Sequence, residues 1–103
     1  DERQFLERLE NGPVQLYCLR QKYLAPPARA EENALPFFKE MNTYYLVVEN
    51  RLLPVSDEKD IMRQLPSLKE KIRRIIRADN IRIRKNQENG LRQIIAALNQ
   101  TAG

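Results

Sequence analysis

Histidine and tryptophan are absent from this chain of 103 residues, cysteine occurs once, at Cys18, and glycine only three times. Without histidine, imidazole general bases, imidazole metal sites and Cys-His nucleophile pairs are excluded. One thiol also excludes an intrachain disulfide framework and a cysteine-based zinc site, which needs several thiolates at set spacings. Gly12, Gly90 and Gly103 stand apart from one another, so the chain has no glycine-rich phosphate loop. No run approaches the ~20 consecutive apolar residues of a bilayer-spanning helix. The carboxylates Glu31-Glu32 and Asp57, Glu58, Asp60 lack the alternating Asp/Asn spacing of a calcium loop. The expectation is a protein that is not an enzyme and carries no cofactor and no metal.

What is present is apolar content of 42% beside 31% charged residues, the balance of a soluble globular protein. A chain of this length buries a little over ~60% of its extended surface, enough for one core, and reads as a single domain over 1–103. It begins at Asp1, which fits either a trimmed piece or a mature form whose targeting segment was removed. The net charge of +4 is unevenly spread. Residues 72–92 hold seven Lys/Arg against two Asp/Glu, while the rest of the chain holds eleven against twelve. The basicity belongs to one segment.

Proline at 13, 26, 27, 36, 54 and 66 supplies the punctuation. On a 100° wheel Phe5, Leu6, Leu9, Leu16, Tyr17, Tyr23 and Leu24 fall on one side, which predicts a first helix kinked or briefly broken at Pro13. Cys18 falls off that stripe and reads as an ordinary helix-surface or interhelix thiol. Residues 25–36 read as a connection. Pro36 suits a first helical position, and Phe37, Phe38, Met41, Tyr44, Tyr45, Val48 and Leu52 form an apolar stripe predicting a second helix that ends before Pro54. The aromatic pairs Phe37-Phe38 and Tyr44-Tyr45 are expected in the core rather than as a stacking platform. Ser56 is a candidate cap for a third helical stretch, and Ser67 with Glu70 has capping-box spacing. Whether 57–88 is one kinked helix or two stays open.

Leu68, Ile72, Ile75, Ile76 and Ile83 gather on one side of the wheel, with Arg73, Arg77 and Arg84 roughly opposite and Arg74 and Lys85 flanking them. The alternation in Ile81-Arg82-Ile83-Arg84 covers too few residues to predict a strand. Asn89-Gly90 reads as a break before a short terminal helix bearing Leu91, Ile94, Ile95 and Leu98. The sum predicts an all-α protein, an up-and-down four-helix bundle with proline-bearing loops. Asn99-Gln100-Thr101 matches a glycosylation sequon and is expected to be a chance match.

The basic face, Arg73, Arg74, Arg77, Arg84 and Lys85, is the one functional signal. It could neutralise phosphates as a nucleic-acid-binding helical module over 73–85, dock an acidic protein surface, or simply be solvated. No nucleic-acid motif accompanies it and no aromatic residue is interleaved with it. Protein docking is the preferred expectation.

The stretch "YYLVVENRLLPVSDEKDIMRQLPSLKEKIRRIIRADNIR" resembles the middle of the PsbQ family, extrinsic subunits on the lumenal side of photosystem II, including cyanobacterial and red-algal relatives. The likeness rests on Tyr45-Leu46, Arg51-Leu52-Leu53-Pro54, Asp57-Glu58-Lys59, then Leu65, Leu68, Ile72, Ile75 and Ala78, with "LRQIIAALN" similar to the family's last helix. It covers about 36–98. The chain departs from the family where Leu35-Pro36-Phe37 stands in place of a frequent tryptophan, and residues 1–35 have no counterpart. The resemblance implies a four-helix bundle without catalysis, placed in the thylakoid lumen and peripheral to the membrane. It implies docking on photosystem II core subunits and other extrinsic lumenal proteins, and support of the oxygen-evolving complex through calcium and chloride retention. A generic protein-interaction adaptor is the remaining alternative.

Overall fold

The computed structural model describes residues 3–25 and 37–101. The fold is half sheet, not a four-helix bundle. Strands β1 (Arg3–Glu10), β2 (Gln15–Ala25), β3 (Phe37–Val48) and β4 (Arg51–Val55) form one antiparallel sheet in sequence order. Helices α1 (Glu58–Gln64), α2 (Lys69–Asp79) and α3 (Gln87–Thr101) follow, with a short 3₁₀ turn at Pro66–Leu68. The two long helices expected over the first half of the chain are therefore two antiparallel hairpins.

Strand periodicity was masked because both parities of these segments are apolar. In β2, Leu16 and Cys18 face the helices while Tyr17, Leu19 and Tyr23 face away; in β3, Tyr44, Leu46 and Val48 alternate with Met41, Tyr45 and Val47. A sequence apolar at both odd and even positions also populates one side of a helical wheel, so the 3.6-residue reading had something to match. The Thr-Tyr-Tyr and Val-Val content of β3, whose bulky side chains suit a pleated surface, carried the opposite preference.

The turns decide the matter. Val48 pairs with Arg51 across Glu49-Asn50, whose φ angles of 50° and 63° are those of a two-residue primed turn that twists with its strands. The presumed kink at Pro13 is the β1–β2 connection, where Gly12 adopts φ 147°. Pro54 sits in β4, an edge strand, where a missing N–H is tolerated. Of the connection expected over 25–36, Ala25 instead closes β2, and 26–36, with the Pro36 helix start and the Glu31-Glu32 pair, lie outside the described residues, as do the side chains of Phe37 and Phe38.

In the helical layer, Asp57 rather than Ser56 caps α1, its Oδ1 accepting the Asp60 N–H at 2.9 Å. Ser56 instead donates its N–H and Oγ–H to Asp60 Oδ2, at 2.9 and 2.7 Å. Pro66 separates α1 from α2, and no side-chain cap forms at the start of α2, so the Ser67–Glu70 capping box is not realised. Helix α2 stops at Asn80, in the left-handed conformation, with the Ile81 N–H returning to Ile76 O at 3.0 Å. Residues 81–86 are consequently not helical: Ile81 and Ile83 enter the core while Arg82 and Arg84 stay exposed. Asn86 Oδ1 accepts the Asn89 N–H at 3.1 Å, so α3 begins before Asn89-Gly90 rather than after it.

The core lies between the layers. Leu16, Leu46, Leu53 and Val55 from the sheet meet Ile61, Ile72, Leu91, Ile94, Ile95 and Leu98 from the helices, all buried. Fully burying a side chain of this kind contributes roughly 1.5–3 kcal/mol, which makes this interface the main source of stability.

Candidate interaction surfaces

Alternation along the strands sends one set of side chains to the side that carries the core, where Phe5 nevertheless stays 58% exposed, and the other to the opposite side of the sheet, which no described element covers. On the open side β1 places Gln4, Leu6 and Arg8, β2 Gln15, Tyr17, Leu19, Gln21 and Tyr23, β3 Lys39, Met41, Thr43, Tyr45 and Val47, and β4 Leu52 and Pro54. Tyr17 lies directly opposite Tyr45, and Leu19 stands opposite both Leu6 and Thr43. Leu6, Met41 and Leu52 are 54%, 47% and 59% exposed, and the tyrosines between them are half-buried by their neighbours. Glu7 and Glu40 share the helix-facing side, opposite Cys18 and Lys22. Arg8 and Lys39 are the charged groups on the open face among the described residues, and both are cations. The face is therefore mixed, its aliphatic and tyrosine side chains interrupted by Gln4, Gln15, Gln21 and Thr43, with the Gln21 amide donating to Gln4 Oε1 at 3.3 Å.

The sequence does not reveal this face, because on a helical wheel its residues share their stripes with core residues. Phe5, Leu9 and Leu16 lie on the helix-facing side of the sheet; Leu6, Tyr17 and Tyr23 lie on the other. Tyr44 and Tyr45, expected together in the core, also divide: Tyr44 is buried and Tyr45 belongs to the open face.

The five basic residues singled out from sequence are all exposed, but they do not form one helix face. Arg73, Arg74 and Arg77 belong to α2, and Arg84 and Lys85 to the turn after it. Arg73 pairs with Glu70 at 3.0 Å and borders a groove with Lys59, Arg63 and Lys69. Arg84 lines a separate depression with Ser56, Asp57, Glu58 and Gln87, and Lys85 another with Arg82, Asp79 and Asn86. What holds is charge segregation by layer: residues 58–101 carry eleven Lys/Arg against five Asp/Glu.

Beneath the sheet a polar cluster links the layers. Arg20 Nη2 donates to Glu7 Oε2 at 2.7 Å and lies 3.1 Å from Glu88 Oε1, which also accepts the Tyr44 hydroxyl at 3.1 Å. Hydrogen bonding from Arg20 holds the Glu88 carboxyl below its usual range, while burial, followed by the bond to Glu88, pushes the Tyr44 hydroxyl up. Burial likewise raises the Cys18 thiol, so at neutral pH it stays protonated and shielded, the opposite of a nucleophile's needs. Cys18 is a fully buried strand residue of the core rather than a helix-surface or interhelix thiol. The carboxylates of Asp57 and Asp60 are occupied in capping α1, and no group of three potential metal ligands occurs among the described residues. No described helix is long and apolar enough to cross a membrane.

Asn99, the first residue of the sequon, is committed to the fold. Its amide bonds the backbone of Asn11 and Val14 in the β1–β2 connection. No protein-family model, no curated protein and no solved structure matches this chain.

Proposed function

We propose that this chain is a non-catalytic docking module that buries the open face of its sheet against an acidic protein partner. The observation that carries the reading is the composition of that face: Leu6, Tyr17, Leu19, Met41, Tyr45 and Leu52 in one sheet surface among the neutral Gln4, Gln15, Gln21 and Thr43, with Arg8 and Lys39 as its described charges. Aromatic and Met residues are the types enriched where proteins meet, and tyrosine brings large contact area with only two torsions to fix. A partner surface that is apolar with carboxylates opposite Arg8 and Lys39 complements it. A second copy facing the first would bring cations to a face that offers them no carboxylate. The excess positive charge of the helical layer favours the approach of the same acidic partner from a distance.

Nucleic acid is less well matched. A stacking platform needs phosphate-neutralising cations beside its aromatic rings, whereas Arg74, Arg77, Arg82, Arg84 and Lys85 belong to the helical layer, where no aromatic residue occurs. A place beside photosystem II, with retention of calcium and chloride in the thylakoid lumen, has no feature of this fold behind it. The resemblance implied a four-helix bundle, and the segment that carries it includes β3 and β4.

The test is site-specific photo-crosslinking in the native cell, with the probe at Met41 or, as a control, at Arg74. Adducts at Met41 with one acidic protein, lost in a Leu6→Asp/Leu52→Asp variant that keeps its circular dichroism, are expected. Adducts with a second copy or with nucleic acid, or none at Met41, would overturn the reading.

A further inference from the structure

Between α1 and α2 runs an open groove of about 480 Å3 lined by Lys59, Met62, Arg63, Pro66, Lys69 and Arg73. Four of its six lining residues are cations, none is a carboxylate, and Met62 with Pro66 gives it an apolar floor. We propose that this groove binds an extended acidic peptide segment.

The match is one of spacing as well as sign. Lys59 and Arg63 are four residues apart on α1, and Lys69 and Arg73 four apart on α2, so each helix presents a pair of cations separated by a rise of about 6 Å. Alternate residues of an extended chain repeat at roughly 6.7 Å on one side. Carboxylates at alternate positions of a peptide therefore meet successive cations of one row. The aliphatic stems of the lysines and Met62 offer contact to an apolar side chain between them. A bilayer is flat and would meet projecting cations rather than a recess, and a single phosphate needs cations converging on one point rather than two rows.

The groove's own charges leave it available. Arg63 is held by Asp60 at 3.1 Å and Arg73 by Glu70 at 3.0 Å, both i,i+3 pairs open to water and hence of small energy. Lys59 and Lys69 have no ion-pair partner among the described residues. An incoming carboxylate thus meets two unneutralised ammonium groups, and competes with only weak intrahelical pairs for the two guanidinium groups. This surface belongs to the helical layer and is separate from the open sheet face.

The experiment is fluorescence anisotropy of the full chain with a fluorescein-labelled peptide carrying glutamates at alternate positions around a central leucine. Binding is expected to weaken as salt rises, and to fall about tenfold or more in Lys59→Glu/Lys69→Glu. It should stay within about twofold in Arg82→Glu/Lys85→Glu, a variant of equal charge change outside the groove, and in Leu52→Asp on the sheet face. Circular dichroism establishes that each variant is folded. Equal binding by the Lys59→Glu/Lys69→Glu variant would overturn the proposal. So would equal binding of the peptide with glutamines for glutamates, or preferential capture of the chain by pyrophosphate or by phosphatidylglycerol vesicles.

Discussion

Asn99 on α3 and Val14 after the β1–β2 turn are 85 residues apart and hydrogen-bonded in both directions: the Val14 N–H donates to Asn99 Oδ1 at 3.0 Å, and Asn99 Nδ2 donates to Val14 O at 2.8 Å. A third bond runs from Nδ2 to Asn11 O at 3.1 Å. Gly12 lies so close that a Cβ there would stand 2.5 Å from Asn99 Cγ. One amide thus fixes the terminal helix against the first hairpin. Asn99→Ala is expected to lower stability by about 2–4 kcal/mol, because three bonds go and part-buried backbone groups lose their partners. Urea denaturation reads the cost; a loss below ~0.5 kcal/mol would mean that the clamp is dispensable.

The β3–β4 turn holds Glu49 and Asn50 at positive φ, which a glutamate adopts reluctantly. Replacing the pair by Asn-Gly, through Glu49→Asn and Asn50→Gly, relieves that strain with residues suited to a primed turn. Thermal and urea unfolding should register a gain of about 1 kcal/mol. A loss would contradict the two-residue turn, as it would if this stretch were the helix first expected.

Gly90→Ala sets two effects against each other. Alanine favours a helix over glycine by roughly 1 kcal/mol, but the new Cβ would lie 2.9 Å from Ile83 Cγ1 and 3.1 Å from Ile83 Cα. The close approach to backbone should win, because the 81–86 segment is held by its buried isoleucines. Net destabilisation of about 1–3 kcal/mol is expected from denaturant titration. A net gain would show that the 81–86 segment yields easily.

Glu88 predicts the pH response of the interlayer cluster. Its carboxyl is lowered from the ordinary 4.5, chiefly by the Arg20 hydrogen bond, so its contribution is present above pH 4.5 and fades as pH falls through the folded-state value. Tyr44 acts in the other direction. Its hydroxyl is raised from the ordinary 10.0 by burial and by Glu88, so its contribution is present below pH 10 and fades as pH rises beyond it. Stability against pH, measured by denaturation, should therefore decline at both ends. Glu88→Gln should flatten the acid limb and Tyr44→Phe the alkaline one. An acid limb unchanged by Glu88→Gln would exclude this ion pair as its source.

Charge and local helix signals proved readable because they depend on near neighbours. Leu91, Ile94, Ile95 and Leu98 recur at helical spacing and are buried on α3, and the amphipathic pattern around Ile72 belongs to α2. The basic face was legible as composition but not as geometry. Asn80 ends α2 in a left-handed conformation, which moves Arg84 and Lys85 off the helix that carries Arg73, Arg74 and Arg77.

By itself the sequence determined which residues are apolar, that helical segments lie around Ile72 and Ile94 though not where they begin and end, and that the cations concentrate in the second half. Tertiary structure decided that residues 3–10, 15–25, 37–48 and 51–55 pair as strands, because a strand is completed only by hydrogen bonds to another segment. Cys18 takes its position from Glu7 on one side and Tyr44 on the other, and neither partner is written in the local pattern around it. The same pairing separates Tyr44 from Tyr45, one into the core and one onto the open face, since neighbouring side chains on a pleated strand point to opposite sides.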